Sequence, residues 1–326
     1  MNIGFIGVGG VAQAHLGNLQ KMKNVVIASV CDVDGERAQK AADTYGADCY
    51  EDYREMLNGE KLDAVYVCVI PGAHGNIELD LAKAGIPFFS EKPVGLDLNT
   101  CAKTIEAIEK TNCINAVGYH WRYRAGVQAA RRFMEKHPIS VVEGAWYGGF
   151  VGVPWWRQMS LSGGQIVEQS THVFDLARYL AGEVHTVTAI GATGAMKDVS
   201  NYDIHDASIA LLQFDSGAIG HITTGCLADN PNAGSQVEIA FKGLGWQARV
   251  ANDVTLGDKK GLKTVPEVQS WQEQLGNGDK IFLNAIKNNS MDKVLSDYRS
   301  GAQTLAVTLA ANQSIESGKA VKVRRF

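Results

Sequence analysis

The sequence predicts an α/β chain: a doubly wound parallel sheet first, then an α+β domain built on an open, mostly antiparallel sheet. Two observations predict it. Up to about Tyr119, short β-branched runs alternate with helical-period segments, the pattern of a parallel sheet covered on both faces. After about Arg124 the strand candidates lengthen and are joined by turn signals, as in Ala207-Phe214, Asp215-Ser216-Gly217, Ala218-Thr224. With 326 residues the chain is long enough for about two domains, and the change of rhythm puts them at 1–122 and 123–326.

Six strands are expected in the first part: Asn2-Ile6, Val25-Cys31, Asp48-Tyr50, Ala64-Ile70, Pro87-Ser90 and Cys113-Val117. Between them Ala12/Leu16/Leu19, Ala38/Ala41/Ala42/Tyr45, Ile77/Leu81/Ala84 and Cys101/Ile105/Ile108 recur at helical spacing, so each set shares one helix face. Gly46 and Gly85 stand where helices end in a left-handed residue. In the second part an open antiparallel sheet covered by helices on one face leaves the other to pack on a second subunit. Homo-oligomerisation through that sheet is therefore expected.

Composition narrows the partners. Apolar residues make up 45% and charged residues 20%, an ordinary globular balance, and the net charge of −4 offers nothing to hold a nucleic acid or an anionic membrane. No apolar run approaches the roughly 20 residues of a membrane-spanning helix. The first charged side chain is Lys21, which does not fit the basic-then-apolar layout of a secretory leader. The six cysteines form no Cys-x-x-Cys pair, and reduced thiols in a cytoplasm are expected.

Three motifs carry chemistry. Gly7-Val8-Gly9-Gly10-Val11-Ala12 follows the first apolar strand and opens the first helix, with G-x-G-x-x-A spacing. Gly7 allows a tight turn, Gly9 lets a diphosphate approach the backbone, and small Ala12 lets the helix pack closely. Asp32 stands twenty residues beyond Ala12, at the end of the second strand, where its carboxylate suits ribose hydroxyls and repels a 2′-phosphate. NAD is thus favoured over NADP. Arg37 is read as part of a solvated helix face, after a helix start capped by Asp34.

Ser90-Glu91-Lys92-Pro93 closes the fifth strand, at the sheet edge where ligands of doubly wound folds bind. A lysine there can hydrogen-bond a substrate hydroxyl; the spacing alone is equally compatible with a surface lysine before a turn. The third motif is a single expected helix after Ser162-Gly163-Gly164, with Glu168, His172 and Asp175 at i, i+4, i+7 on one stripe beside Ile166, Val173, Leu176 and Leu180. A histidine held by a carboxylate can take a proton from an alcohol near neutral pH. A structural histidine is the competing reading, and no ligand set completes a metal site. His15, His137, His185, His205 and His221 are read as surface or structural, as is His74 by default, although it starts a helix beside the cofactor edge.

In this order the three motifs resemble the Gfo/Idh/MocA family of nicotinamide-dependent oxidoreductases, which includes glucose–fructose oxidoreductase and inositol dehydrogenases. The resemblance spans the whole chain, including Pro71, His74, Gly118-Tyr119-His120-Trp121-Arg122-Tyr123 and the closing Ser314 to Val323. It implies an N-terminal Rossmann domain and a C-terminal domain that binds substrate and often forms dimer or tetramer contacts. Lys92 matches the family's catalytic lysine, whose bond to Pro93 is often cis, and His172 its catalytic histidine. Glu168 falls where many members carry Asp, as the carboxylate that orients His172 or touches substrate. Cofactor contacts are then expected from Gly7, Val8, Gly9, Gly10, Val11 and Asp32, and from Ile70, Pro71, His74, Glu91, Lys92 and Arg122. Substrate contacts are expected from Lys92, His120, Trp156, Arg157, Glu168 and His172; Trp155, Trp156 and His120 equally suit plain core or interface positions.

The expected reaction is reversible oxidation of a secondary hydroxyl of a sugar, sugar derivative or inositol, with hydride transfer to NAD and no metal. His172 takes the proton, Lys92 orients the oxygen, and Asp175 stands behind them. Two alternatives keep the same cofactor: glycoside cleavage through transient sugar oxidation, and a sugar sensor without turnover.

Overall fold

A computed structural model describes residues 1–229 and 232–326. Its contacts divide the chain into two compact units, the first formed by 1–120 with 269–301 and the second by 121–268 with 302–326. The first unit is built on a six-stranded parallel sheet: β1 (Asn2–Ile6), β2 (Val26–Cys31), β3 (Asp48–Tyr50), β4 (Ala64–Val67), β5 (Phe88–Ser90) and β6 (Asn115–Val117). Its order, β3-β2-β1-β4-β5-β6, reverses direction between β1 and β4, the topology that opens a crevice at the carboxyl ends of the strands. The helices are α1 (Gly10–Leu19), α2 (Gly35–Tyr45), α3 (Tyr53–Gly59), α4 (Ile77–Ala84) and α5 (Leu98–Thr111).

Local chemistry explains the element ends. Asp34 accepts from the Arg37 N–H and caps α2, while Gly46 and Gly85 end α2 and α4 in the left-handed region. The fourth strand is shorter than expected from the sequence: β4 stops at Val67, and the chain reaches a short 3-10 turn at Pro71–Ala73, where a proline favours a turn and cannot donate to the ladder. The four strands β1, β4, β5 and β6 are buried on both faces apart from Asn2.

A later segment returns to this unit. Helix α10 (Trp271–Asn288), started by a Ser270/Glu273 capping box, lays Phe282 edge-on against Tyr66 and Phe89, with ring centroids 5.7 and 5.8 Å apart. Ser296 accepts the Val117 N–H through its carbonyl, and the Asn115 side chain accepts from the Tyr298 N–H. Tyr298 begins α11 (Tyr298–Ser317), whose residues from Ala302 on count with the second unit.

The second unit contains a nine-stranded sheet of order β14-β13-β12-β11-β7-β10-β9-β8-β15. Its strands are β7 (Val141–Tyr147), β8 (Val184–Ala192), β9 (Ala207–Phe214), β10 (Ile219–Gly225), β11 (Gln236–Gly243), β12 (Trp246–Val250), β13 (Val254–Asp258), β14 (Gly261–Val265) and β15 (Val321–Lys322). All neighbours pair antiparallel except β7 and β10. Helix α6 (Ala125–Met134) packs on β12, β13 and β14, and α9 (Thr171–Ala181) on β7 and β11. The strict in-out alternation along β9 shows that only one sheet face is covered. On the other face Ile190 stands opposite Ile209, with Leu211 two residues further along β9.

All six cysteines are free, and five are buried. Among the described residues no helix is long and apolar enough to cross a membrane.

Phe282 is fully buried in the first unit's core. Phe282→Ala is therefore expected to destabilise that unit by about 3–5 kcal/mol in a denaturant titration. A loss well under about 1 kcal/mol would mean that 269–301 does not contribute to that core.

Candidate active site and its cofactor cradle

The glycine turn after β1 takes the shape its sequence requires. Gly7 has φ +83°, and a Cβ there would lie 2.6 Å from the Cys68 carbonyl oxygen, so only glycine fits. Gly9 is the N-cap of α1 and makes no side-chain capping bond, while a Cβ at Gly9 or Gly10 would meet nothing within 4 Å. The first N–H groups of the helix thus carry no capping side chain, and no Cβ at Gly9 or Gly10 bars an approach to them, a site suited to a diphosphate.

Asp32 ends up behind this turn. One carboxylate oxygen accepts the Val8 N–H at 3.0 Å and the other the Asp34 N–H at 3.0 Å. Arg37 is exposed, as expected of a solvated helix face, and from there donates through Nη1 to both Asp32 oxygens at 3.1 and 3.2 Å and through Nη2 to Asp34 at 2.8 Å. One turn of α2 brings position 37 back over its own N-terminus, which is why the arginine reaches the carboxylate. Ribose hydroxyls would compete with Arg37 for the same oxygens.

At the far side of β4, His74 is buried and its Nδ1 lies 2.5 Å from Glu78 Oε1, which also accepts from Ser90 Oγ at 2.7 Å. His74 Nε2 is buried with no hydrogen-bond partner, an orphan that an incoming polar group would satisfy. Ile70 and Pro71 sit on the turn leading to it. Open helix N–H groups, an acid at the end of β2 and this orphaned nitrogen all fit a dinucleotide along the sheet edge.

Glu91 and Lys92 follow β5 directly, and the Lys92–Pro93 bond is cis. Glu91 is buried, and its Oε2 accepts the Lys92 main-chain N–H at 3.1 Å. Burial works against its charge, but the His15 hydrogen bond and the charges of His15 and Lys92 outweigh it and hold the carboxyl below the usual range. His15, read from the sequence as surface or structural, is fully buried. Its Nδ1 lies 2.6 Å from Asp279 on α10 and its Nε2 3.1 Å from Glu91. Burial alone would lower its pKa; the two carboxylates overcome that and push it up to about 10. For His120 burial, joined by the Lys92 charge, outweighs the pull of the Glu91 carboxylate and brings it down to about 4, so the ring is neutral at neutral pH.

In the second unit, the single helix expected to carry Glu168, His172 and Asp175 is two helices, α8 (Gly164–Glu168) and α9. Ser170 N–H bonds back five residues to Gln165, and that wide turn shifts the register between Glu168 and His172. Glu168 and His172 are therefore not stacked on one α-helical stripe. Glu168 Oε2 accepts from Trp156 Nε1 at 3.0 Å. The His172 ring lies beside a pair of indoles, its centroid 5.2 Å from Trp121 and 5.9 Å from Trp146, both within 25° of parallel, and the two indoles are 5.7 Å from one another. Neither indole was singled out by spacing, since each contact joins elements far apart in sequence.

Other expected site residues are held differently. Trp156 has no exposed surface and packs with Ile204 and Cys226, so it braces Glu168 rather than offering a face to substrate. Arg122 and Asp175 form a buried two-point pair at 2.8 and 2.6 Å, with Thr304 donating to the same carboxylate at 2.9 Å. Arg157 ties its loop to the Gly152 and Ser200 carbonyls. Among the described residues no group of three His, Cys, Asp or Glu could hold a metal ion.

Comparison with known proteins agrees with this geometry. The family model described as an oxidoreductase family with an NAD-binding Rossmann fold matches residues 1–119, and the Gfo/Idh/MocA C-terminal domain matches 138–243, together more than half of the chain. The chain belongs to the Gfo/Idh/MocA family. Its first unit is the family's NAD-binding Rossmann domain. Myo-inositol 2-dehydrogenase of Thermotoga maritima is 25% identical over 99% of this chain and 98% of its own length. The NAD-dependent scyllo-inositol 2-dehydrogenase of Bacillus subtilis is 29% identical over 67% of this chain and 65% of its own. A levoglucosan dehydrogenase solved with NADH superposes with a TM-score of 0.87 at 20% identity, covering both chains completely.

Two outcomes are expected. Asp32→Ala removes charged hydrogen bonds and should weaken NAD binding by about tenfold to a hundredfold in calorimetry, with less effect on NADP. His15 is protonated far more readily in the folded protein than at its ordinary 6.5. The stability this charge contributes is fully present below pH 6.5 and is lost as pH rises towards 10; thermal melts of His15→Gln should lack that alkaline decline.

Proposed function

We propose that this family member is an NAD-dependent dehydrogenase that oxidises a secondary hydroxyl of a sugar, sugar derivative or inositol. The observation that carries the reading is the cradle of the first unit: an uncapped helix start over Gly9, with Asp32 behind it. Bound NAD would supply the two-electron acceptor at the edge that also carries Lys92. The relatives named above, inositol and levoglucosan dehydrogenases, support a polyol or sugar as the substrate class.

Lys92 orients the hydroxyl oxygen and stabilises the negative charge that develops on it. His172 accepts the hydroxyl proton, its ring plane set by Trp121 and Trp146. Glu168, held by Trp156, is the carboxylate that orients the substrate or the histidine. His120 and Arg157 are assigned to the substrate side. Val8, Gly10, Val11, Ile70, Pro71, His74, Glu91 and Arg122 are assigned to the cofactor. The acid–base share of the rate is on the order of 10² to 10⁴.

The division of labour follows: dinucleotide in the first unit, which 269–301 joins, and substrate and self-association in the second. The uncovered sheet face, with Ile190, Ile209 and Leu211 exposed, supports a homodimer or homotetramer. Six thiols without a disulfide support a reducing cytoplasm.

A polyol and sugar panel with NAD, followed at the reduced-nicotinamide absorbance, should reveal turnover that Lys92→Ala and His172→Ala each lower by about 10² to 10⁴ with NAD affinity kept. Binding of NAD with no turnover across the panel would remove the dehydrogenase reading, and wild-type turnover in Lys92→Ala would remove that residue's role.

A further inference from the structure

The first unit buries a three-residue chain of charge that the proposed chemistry does not itself use. Asp279 Oδ1 lies 2.6 Å from His15 Nδ1, His15 Nε2 lies 3.1 Å from Glu91 Oε1, and Glu91 Oε2 accepts the Lys92 main-chain N–H at 3.1 Å. The side chains of Asp279 and His15 are fully buried and Glu91 nearly so. Both nitrogens of one imidazole face carboxylates. A neutral ring has a single N–H and would set a lone pair against one of them, whereas the imidazolium donates to both.

We propose that His15 and Asp279 are positioning residues for Lys92, acting through Glu91. This rests on the reading above, in which Lys92 orients the substrate oxygen. Lys92 lies just past β5, where the strand ladder no longer fixes the backbone, and the Glu91 carboxylate is what engages its N–H. That carboxylate is held on every side. A Cβ at Gly118 would come within 2.3 Å of Glu91 Oε1, so the β6 end closes against it, and His15 supplies the bond on the remaining edge.

His15 is itself immobilised. Tyr66 and Phe89 pack on its ring at 5.4 and 5.1 Å, and the second Asp279 oxygen accepts from Asn18 Nδ2 at 3.3 Å. The other titratable groups acting on this chain are Lys92 and His120, near Glu91, and Tyr66 and Cys68, near Asp279. Only His15 brings a positive charge between the two buried carboxylates. Removing it leaves two anions without their shared partner, and Glu91 then gains by turning away from the site and releasing the Lys92 N–H. The aim of Lys92 thus depends on a helix nearly two hundred residues further along the chain.

His15→Gln and the nearly isosteric Asp279→Asn test this in the full-length protein, by amide hydrogen exchange at Lys92, NAD calorimetry and steady-state kinetics on a polyol that the wild type oxidises. The expected result is Lys92 amide exchange faster by about tenfold or more, with kcat lower by about a hundredfold, while NAD affinity and polyol KM stay within about threefold of wild type. A residue that only stabilised the fold would lower the melting temperature and leave kcat at 25 °C intact. Folded variants with unchanged Lys92 exchange, or with unchanged kcat, overturn the proposal. Should His15→Gln fail to fold, Asp279→Asn decides it by the same criteria. If the wild type turns over no polyol, the dehydrogenase reading has failed, and the Lys92 exchange rate alone then decides whether His15 and Asp279 position that residue.

Discussion

The bond from the Val8 N–H to the Asp32 carboxylate governs the cofactor side of this molecule. It fastens the glycine turn after β1 to the end of β2, and those two strand ends are neighbours because the sheet is parallel. With the turn held back, α1 starts at Gly9 with no side chain capping its first N–H groups. The same carboxylate spends its other oxygen on Asp34, so it also places the start of α2. A parallel sheet sends every strand end to one edge, which is why Glu91, Lys92 and His74 are gathered there without any local sequence relation to Gly9.

Much of this was legible because it is local. Strand ends at Ile6 and Tyr50, the Asp34 cap and the left-handed Gly46 and Gly85 each follow from a few consecutive residues. What periodicity reports is which face is buried, and it is silent about the partner. His15 lies beside the Leu16 and Leu19 stripe, so its burial could have been inferred, but Asp279 could not, because a contact across 264 positions has no local signature. The return of 269–301 to the first unit was hidden for the same reason. The wide turn at Ser170 defeated the i, i+4, i+7 reading, since one extra residue in a turn rotates everything before it while leaving the apolar pattern nearly intact.

The second unit shows how the side chains of α8 and α9 are held by buried partners. Asp175 looked like a support for His172; its two oxygens are engaged by Arg122, and Thr304 adds a third bond, so the pair is a buried anchor for α9. An arginine in such a fork with one carboxylate is costly to separate, since either partner alone would be a bare charge away from water. The helix that carries His172 is thereby anchored, and its imidazole stacks beside the two tryptophans without needing a carboxylate one turn away.

Glu168 illustrates how a departure from the family pattern can be absorbed. A glutamate where the resemblance leads us to expect the shorter aspartate projects its carboxylate one methylene further, and an unrestrained side chain of that length would lose several rotamers on ordering. The fully buried Trp156 indole removes that freedom by donating to Oε2, and the indole is locked by Ile204 and Cys226. Trp156 and Glu168 therefore form one unit: the longer acid needs a fixed donor, and a buried indole N–H needs an acceptor. Substituting either alone leaves the other with an unmet requirement, so the two positions are coupled through physical chemistry even though twelve residues and a helix separate them.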